Sequence, residues 1–247
     1  CIAVGTERLM DAMRRSRTQR LILASSFSVY GWQKARGTLT EQTPLETDLY
    51  SRGGYAIAKV WQERVVDRFC RKYGLRSLIL RPGFIWGPGR EYVPGVLFNL
   101  GPFALVPGAG RALPLTFVEN CARCFALAIE SFDQADARVF NVVDAGRVSA
   151  WRYAGLFLAH TDRSLRVPLP FALWSLTGWL AQTTSRLLFK GKGRLPSMLT
   201  PSNLAVFKPL EFDAQLAERQ LGDFNRYTFE ESCARSFDAR DGTRDSG

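Results

Sequence analysis

The chain is predicted to fold as an α/β protein around a parallel sheet, and three stretches carry that prediction. Residues 20–24, Arg-Leu-Ile-Leu-Ala, are a short apolar run of the kind a strand buried on both faces requires, and they lead into the hydroxyls of Ser25 and Ser26. From Gly54 to Cys70 the apolar residues recur at helical rather than alternating spacing. Leu75 to Arg81 is a second strand-like run, reached through Gly74, a natural helix C-cap. The order is strand, loop, helix, strand.

The remaining elements follow in turn. Residues 5–16 place Leu9, Met10 and Met13 between charges, as an amphipathic helix does. Residues 31–54, punctuated by Gly31, Gly37, Pro44, Gly53 and Gly54, read as a long loop, a length usually tied to function. In open parallel sheets the ligand crevice lies beyond the carboxyl ends of the strands, so Ser25, Ser26 and Ser28 share one edge with the turn-rich segment Pro82 to Gly89. Val93 to Leu105 is apolar and a candidate pocket lining, and Ala137 to Val143 reads as a further strand. Residues 165–189 form the most hydrophobic stretch, too short and interrupted to span a bilayer. It is read first as a helix packed on a substrate lobe. The second reading rests Trp174 and Trp179 at a membrane interface beside Arg186, Lys190, Lys192 and Arg194, a peripheral contact through residues 165–194. Residues 234–247 are polar and expected to be a disordered tail.

Composition narrows the function classes. With 247 residues, 46% of them hydrophobic, the chain can bury a real core. Its formal charge of +10 is dispersed among acids, and no nucleic-acid recognition motif is present, so no nucleic-acid partner is expected. Five cysteines at irregular spacing make no disulfide framework, and with no leader pattern at the first residues a reducing, cytoplasmic setting is expected, with membrane association left open. Cys121 and Cys124 form a lone C-x-x-C, and His160 is the only histidine, which argues against a metal site and a serine-histidine triad.

The chemistry centres on Tyr55 and Lys59. Positions i and i+4 share a helical face, so phenol and ammonium address one small volume. A nearby cation favours phenolate over phenol and makes the tyrosine a usable acid/base. The competing reading is a chance Tyr-x-x-x-Lys, with Lys59 and Glu63 an ordinary surface pair.

Ser25-Ser26-Phe27-Ser28-Val29-Tyr30-Gly31, then Tyr55-x-x-x-Lys59 with Glu63, then Leu80-Arg81-Pro82-Gly83-Phe84-Ile85-Trp86-Gly87-Pro88-Gly89 resemble, in order and separation, the extended short-chain dehydrogenase/reductase family, the NAD-dependent epimerases and dehydratases, with a later part like the 3-beta-hydroxysteroid dehydrogenases. The resemblance implies the C-terminal part of a Rossmann-type doubly wound parallel sheet with a smaller, mostly helical substrate lobe. Residues 1–150 would hold a partial NAD(P)-binding domain with lobe segments interleaved from about 90, and 151–233 the rest of the lobe. It implies NAD or NADP as cofactor and a small-molecule substrate with a secondary alcohol, a sugar, sugar nucleotide or lipid. Tyr55 would be the acid/base, Lys59 its supporting cation and ribose ligand, and Ser26 the donor to the reacting oxygen. Ala24, Ser25, Pro82, Gly83 and Phe84 would line the nicotinamide, and Ser28, Arg90 and Arg111 are candidates for substrate contact. A homodimer is left open.

Two departures stand beside this. No glycine-rich turn follows a strand, so the first strands of the family's nucleotide-binding sheet are expected to be missing, as in a fragment or a truncated, non-catalytic binding module. The asparagine often found three residues before the family's Gly-Thr is Ile2.

Overall fold

The computed structural model describes residues 2–49, 52–161, 165–189 and 201–237. Its helices are α1 (Ile2–Ser16), α2 (Gly54–Tyr73), α3 (Val118–Glu130), α4 (Ala150–Thr161), α5 (Phe171–Phe189), α6 (Pro201–Leu204), α7 (Gln215–Leu221) and α8 (Phe229–Phe237). Its strands are β1 (Arg20–Ala24), β2 (Thr38–Leu39), β3 (Arg76–Pro82), β4 (Phe84–Trp86), β5 (Phe98–Leu100), β6 (Phe103–Pro107), β7 (Leu115–Phe117), β8 (Val139–Val142), β9 (Leu165–Leu169) and β10 (Glu211–Phe212).

The central sheet is parallel in the order β1-β3-β8, with Ala24 opposite Leu80 and Leu80 opposite Phe140. Alternation along β3 sends its central apolar run, Leu78-Ile79-Leu80, to both faces of the sheet. Ile79 packs with Leu23 against Met10 and Met13 of α1 and Val66 of α2. Leu78 and Leu80 face the other way, onto Cys124 and Ala128 of α3 and Ala217 and Leu221 of α7. Helices therefore cover both faces, the arrangement that a continuous apolar run in a parallel strand demands. Gly74 ends α2 in the left-handed region at φ 70°, and its N–H closes on the Cys70 carbonyl.

A second core gathers around Trp86, Phe117 and Tyr153 and includes Ala104 and Val106 of β6. There β5 and β6 form an antiparallel hairpin that β9 extends in parallel. The hydrophobic stretch from 165 thus splits into a strand and a helix, because Pro170 separates the extended run from α5. The long loop after β1 contains the two-residue β2, which pairs with β10. Residues 234–237, expected in the tail, instead close α8, with Ser236 and Phe237 buried. The rest of that expectation, residues 238–247, lies outside the described residues.

Candidate active site

The site is built at the carboxyl ends of β1 and β3. Tyr55 stands in the first turn of α2 and is 56% exposed, so its hydroxyl is open to a ligand. One turn on, the Lys59 ammonium lies 5.9 Å from the Tyr55 ring centroid. It donates to the Ala24 carbonyl at 2.6 Å and to Gln62 Oε1 at 3.0 Å, and Gln62 Nε2 donates to Thr6 Oγ1 of α1 at 3.1 Å. Burial holds the Lys59 ammonium below the usual lysine range, against the favourable charge of Glu63.

Ser26, two residues beyond Ala24, caps the 3-10 turn Phe27–Val29, its Oγ accepting from the Ser28 N–H at 3.1 Å. Strand β1, its serine cap and the Tyr55–Lys59 face of α2 are therefore drawn to one edge by the Lys59 to Ala24 bond. Ser28 Oγ is buried and has no hydrogen-bond partner among the described residues.

Beneath this edge runs a buried polar chain. Ser25 Oγ donates to Glu63, and Arg81 grips the same carboxylate through Nε at 2.9 Å and Nη2 at 2.7 Å. Arg81 Nη1 donates to the Tyr30 hydroxyl at 3.0 Å, which donates to Asn141 Oδ1 at 2.6 Å. The Asn141 N–H reaches Glu41 Oε1 at 2.8 Å. Burial opposes the charge on Arg81, but Glu63 and Tyr30 hold it above the ordinary guanidinium value. Burial likewise pushes the Tyr30 phenol up to about 12. Glu63 is thus no surface partner of Lys59: it is 4% exposed and belongs to Arg81. Arg81, Tyr30 and Gln62 were not among the expected site residues. Only the presence of Tyr30 and Arg81 inside the quoted motifs, and the i,i+3 spacing of Gln62 from Lys59, signalled them.

Pro82, Gly83 and Phe84 cross from β3 to β4 at the same edge. Gly83 N–H donates to the Val142 carbonyl at 3.1 Å, and a Cβ there would stand 2.1 Å from the Pro114 oxygen, so only glycine fits the crossing. Arg90 is exposed in the turn after β4. Arg111 is buried, donating to the Pro107 carbonyl and, at 2.9 Å, to the Gly95 carbonyl, with its guanidinium 4.9 Å over the Phe207 ring. Burial pushes it down to about 10. An open cleft of about 310 Å³ between Asp144, Arg147, Glu211 and Asp213 has none of the named residues in its lining. Cys121 and Cys124 are buried on α3, their thiols pushed up to about 12 by burial.

The family model for the NAD dependent epimerase/dehydratase family matches residues 2–143, the span that holds this whole edge. The chain belongs to that family. A 3beta-hydroxysteroid-dehydrogenase/decarboxylase isoform 1 of Arabidopsis thaliana is 25% identical over 250 residues, covering 95% of this chain and 56% of that protein. A 3 beta-hydroxysteroid dehydrogenase/Delta 5-->4-isomerase of Mycobacterium tuberculosis is 28% identical over 186 residues, covering 71% and 50%. The chain therefore spans about half the length of these curated relatives. Among solved structures, UDP-glucuronic acid 4-epimerase from Bacillus cereus in complex with NAD superposes with a TM-score of 0.64 at 15% identity, covering 96% of this chain and 66% of that one. That likeness shows a Rossmann-like fold, and NAD dependence is what the matched family model describes.

Proposed function

We propose that this chain carries the proton-transfer half of an NAD(P)-dependent oxidoreductase acting on a secondary alcohol, with Tyr55 as acid/base. The observation behind this reading is the exposed Tyr55 one helical turn from Lys59, whose ammonium is anchored on the Ala24 carbonyl at the carboxyl end of β1. A carbinol carbon gives up hydride only as its hydroxyl loses a proton, so a base and an oxygen donor must flank that hydroxyl. Tyr55 takes the proton, Lys59 stabilises the phenolate, and the Ser26 hydroxyl holds the reacting oxygen. The nicotinamide cofactor, when bound, supplies the hydride acceptor.

The residues present suit its nicotinamide end: the backbone of Ala24, Ser25 and Pro82 to Phe84, with Lys59 and Tyr55 for the ribose, and the unpartnered Ser28 Oγ left for the substrate. They do not supply a pyrophosphate cradle, since no glycine-rich turn joins a strand to a helix in this sequence. We therefore assign turnover to a longer product that includes such a turn.

For the substrate, a lipid-like or steroid-like alcohol is favoured over a nucleotide sugar. Arg111, a candidate for substrate contact and the kind of cation a diphosphate would need, is spent on two backbone carbonyls. The names of the curated relatives, both acting on 3beta-hydroxysteroids, point the same way. In the longer product, a 3β-hydroxysteroid should change nicotinamide absorbance while a UDP-sugar does not. Tyr55→Phe should lower kcat by about 10²- to 10⁴-fold. Unchanged turnover in Tyr55→Phe sinks the role given to Tyr55, and calorimetry showing no binding of NAD or NADP would favour a non-catalytic binding module.

A further inference from the structure

Helix α5 is two-sided in an unusual sense: it packs on one face and leaves an apolar face bare. Trp174 stacks on Phe98 of β5 at 5.5 Å and meets Phe207 edge-on at 5.6 Å, and Gly178 and Ser185 are buried on the same side. On the opposite side Leu173, Leu176, Trp179, Leu180 and Leu187 are 45–77% exposed, and their spacing of three, four and seven residues sets them within one stripe. The sheet that α5 packs on bears a second exposed apolar row. Phe98 and Leu105 are paired across β5 and β6, and the next row on the same sheet face, Leu100, Phe103 and Leu165, is again exposed, at 45–64%. Large apolar side chains grouped along one exposed helix face mark a binding surface rather than scattered exposure.

Charge selects the occupant. Residues 165–208 contain no acidic residue at all, and Arg186, Lys190, Lys192 and Arg194 fall within nine positions at and after the end of α5. A second copy would present the same cationic segment, and like charge opposes that pairing. An anionic bilayer complements it, since apolar side chains enter the headgroup boundary while lysine and arginine engage lipid phosphates. Among the described residues no helix is long and apolar enough to cross a membrane, so the contact is one of lying on the surface. We propose that the outward stripe of α5, with the Leu100–Phe103–Leu165 row, docks this protein on an anionic lipid surface. The inference does not depend on the catalytic reading, because it needs no cofactor and no turnover.

The test uses the chain itself with sonicated vesicles. Co-sedimentation is expected with equal parts phosphatidylcholine and phosphatidylglycerol, to weaken as salt rises from about 0.05 to about 0.5 M, and to be absent from pure phosphatidylcholine. Leu176→Glu with Leu180→Glu should lower the partition coefficient roughly tenfold or more, with an unchanged circular dichroism spectrum, since both positions are exposed. Brominated acyl chains should quench tryptophan emission in the unsubstituted chain and do so less in Trp179→Phe. Failure of the folded chain to bind anionic vesicles, equal binding to neutral ones, or binding unmoved by the double substitution would overturn the proposal. So would self-association in sedimentation velocity that the double substitution abolishes without any vesicle binding, which would assign the face to a second copy.

Discussion

Two arginines are buried to nearly the same degree, Arg81 at 5% exposure and Arg111 at 4%, in opposite electrostatic settings. Arg81, near the end of β3, meets the Glu63 carboxylate through two hydrogen bonds and the Tyr30 hydroxyl through a third. Arg111, between β6 and β7, meets two carbonyl oxygens and the face of Phe207. Burial opposes charge at both, yet one is held above its ordinary value and the other falls to about 10. A carboxylate returns what desolvation takes, and carbonyl dipoles return only part of it. The region under Tyr55 is accordingly a charge-matched footing, and the region around Arg111 is a packing device with a cation in it.

That contrast can be broken by substitution. Glu63→Ala leaves Arg81 as an uncompensated buried cation and should cost about 3–5 kcal/mol in chemical denaturation. The paired Glu63→Ala with Arg81→Met should recover part of this, and a double-mutant cycle with no coupling would show that the two do not act as a unit. Arg111→Met keeps much of the stem volume and leaves the Pro107 and Gly95 carbonyls short of a donor, so a smaller loss of about 1–3 kcal/mol is expected. A loss as large as that of Glu63→Ala would erase the distinction between the two regions. Tyr30→Phe removes one acceptor from Arg81 and one donor from Asn141 while the ion pair persists, and should cost about 1 kcal/mol.

Much of the fold was legible because its signals are local. The apolar run at 20–24, the helical period of α2 and the glycine at 74 each report a backbone state that neighbouring residues dictate. The site was legible in the same way where motif spacing fixes geometry, as with Tyr55 and Lys59. Glu63 was misjudged as a possible surface partner because the i,i+4 rule holds for an isolated helix and says nothing of the arginine that β3 brings beneath it. Residues 165–189 were misjudged as one element because hydrophobicity is shared by buried strands and helices, and only pairing with β6 separates them. Trp174, offered as a membrane contact, packs inward on Phe98, and Trp179 faces out.

By itself, then, the sequence determined the α/β class, the order of the elements around the site and the placing of Tyr55 and Lys59 on one helical face, since periodicity and motif spacing act over one or two turns of chain. Tertiary structure alone decided which buried charges have partners, that Lys59 is anchored through Ala24, Gln62 and Thr6, and which side of α5 is bare. Those outcomes depend on groups far apart in sequence, up to 111 residues for Tyr30 and Asn141, and burial energies are set by what the fold places within hydrogen-bonding distance.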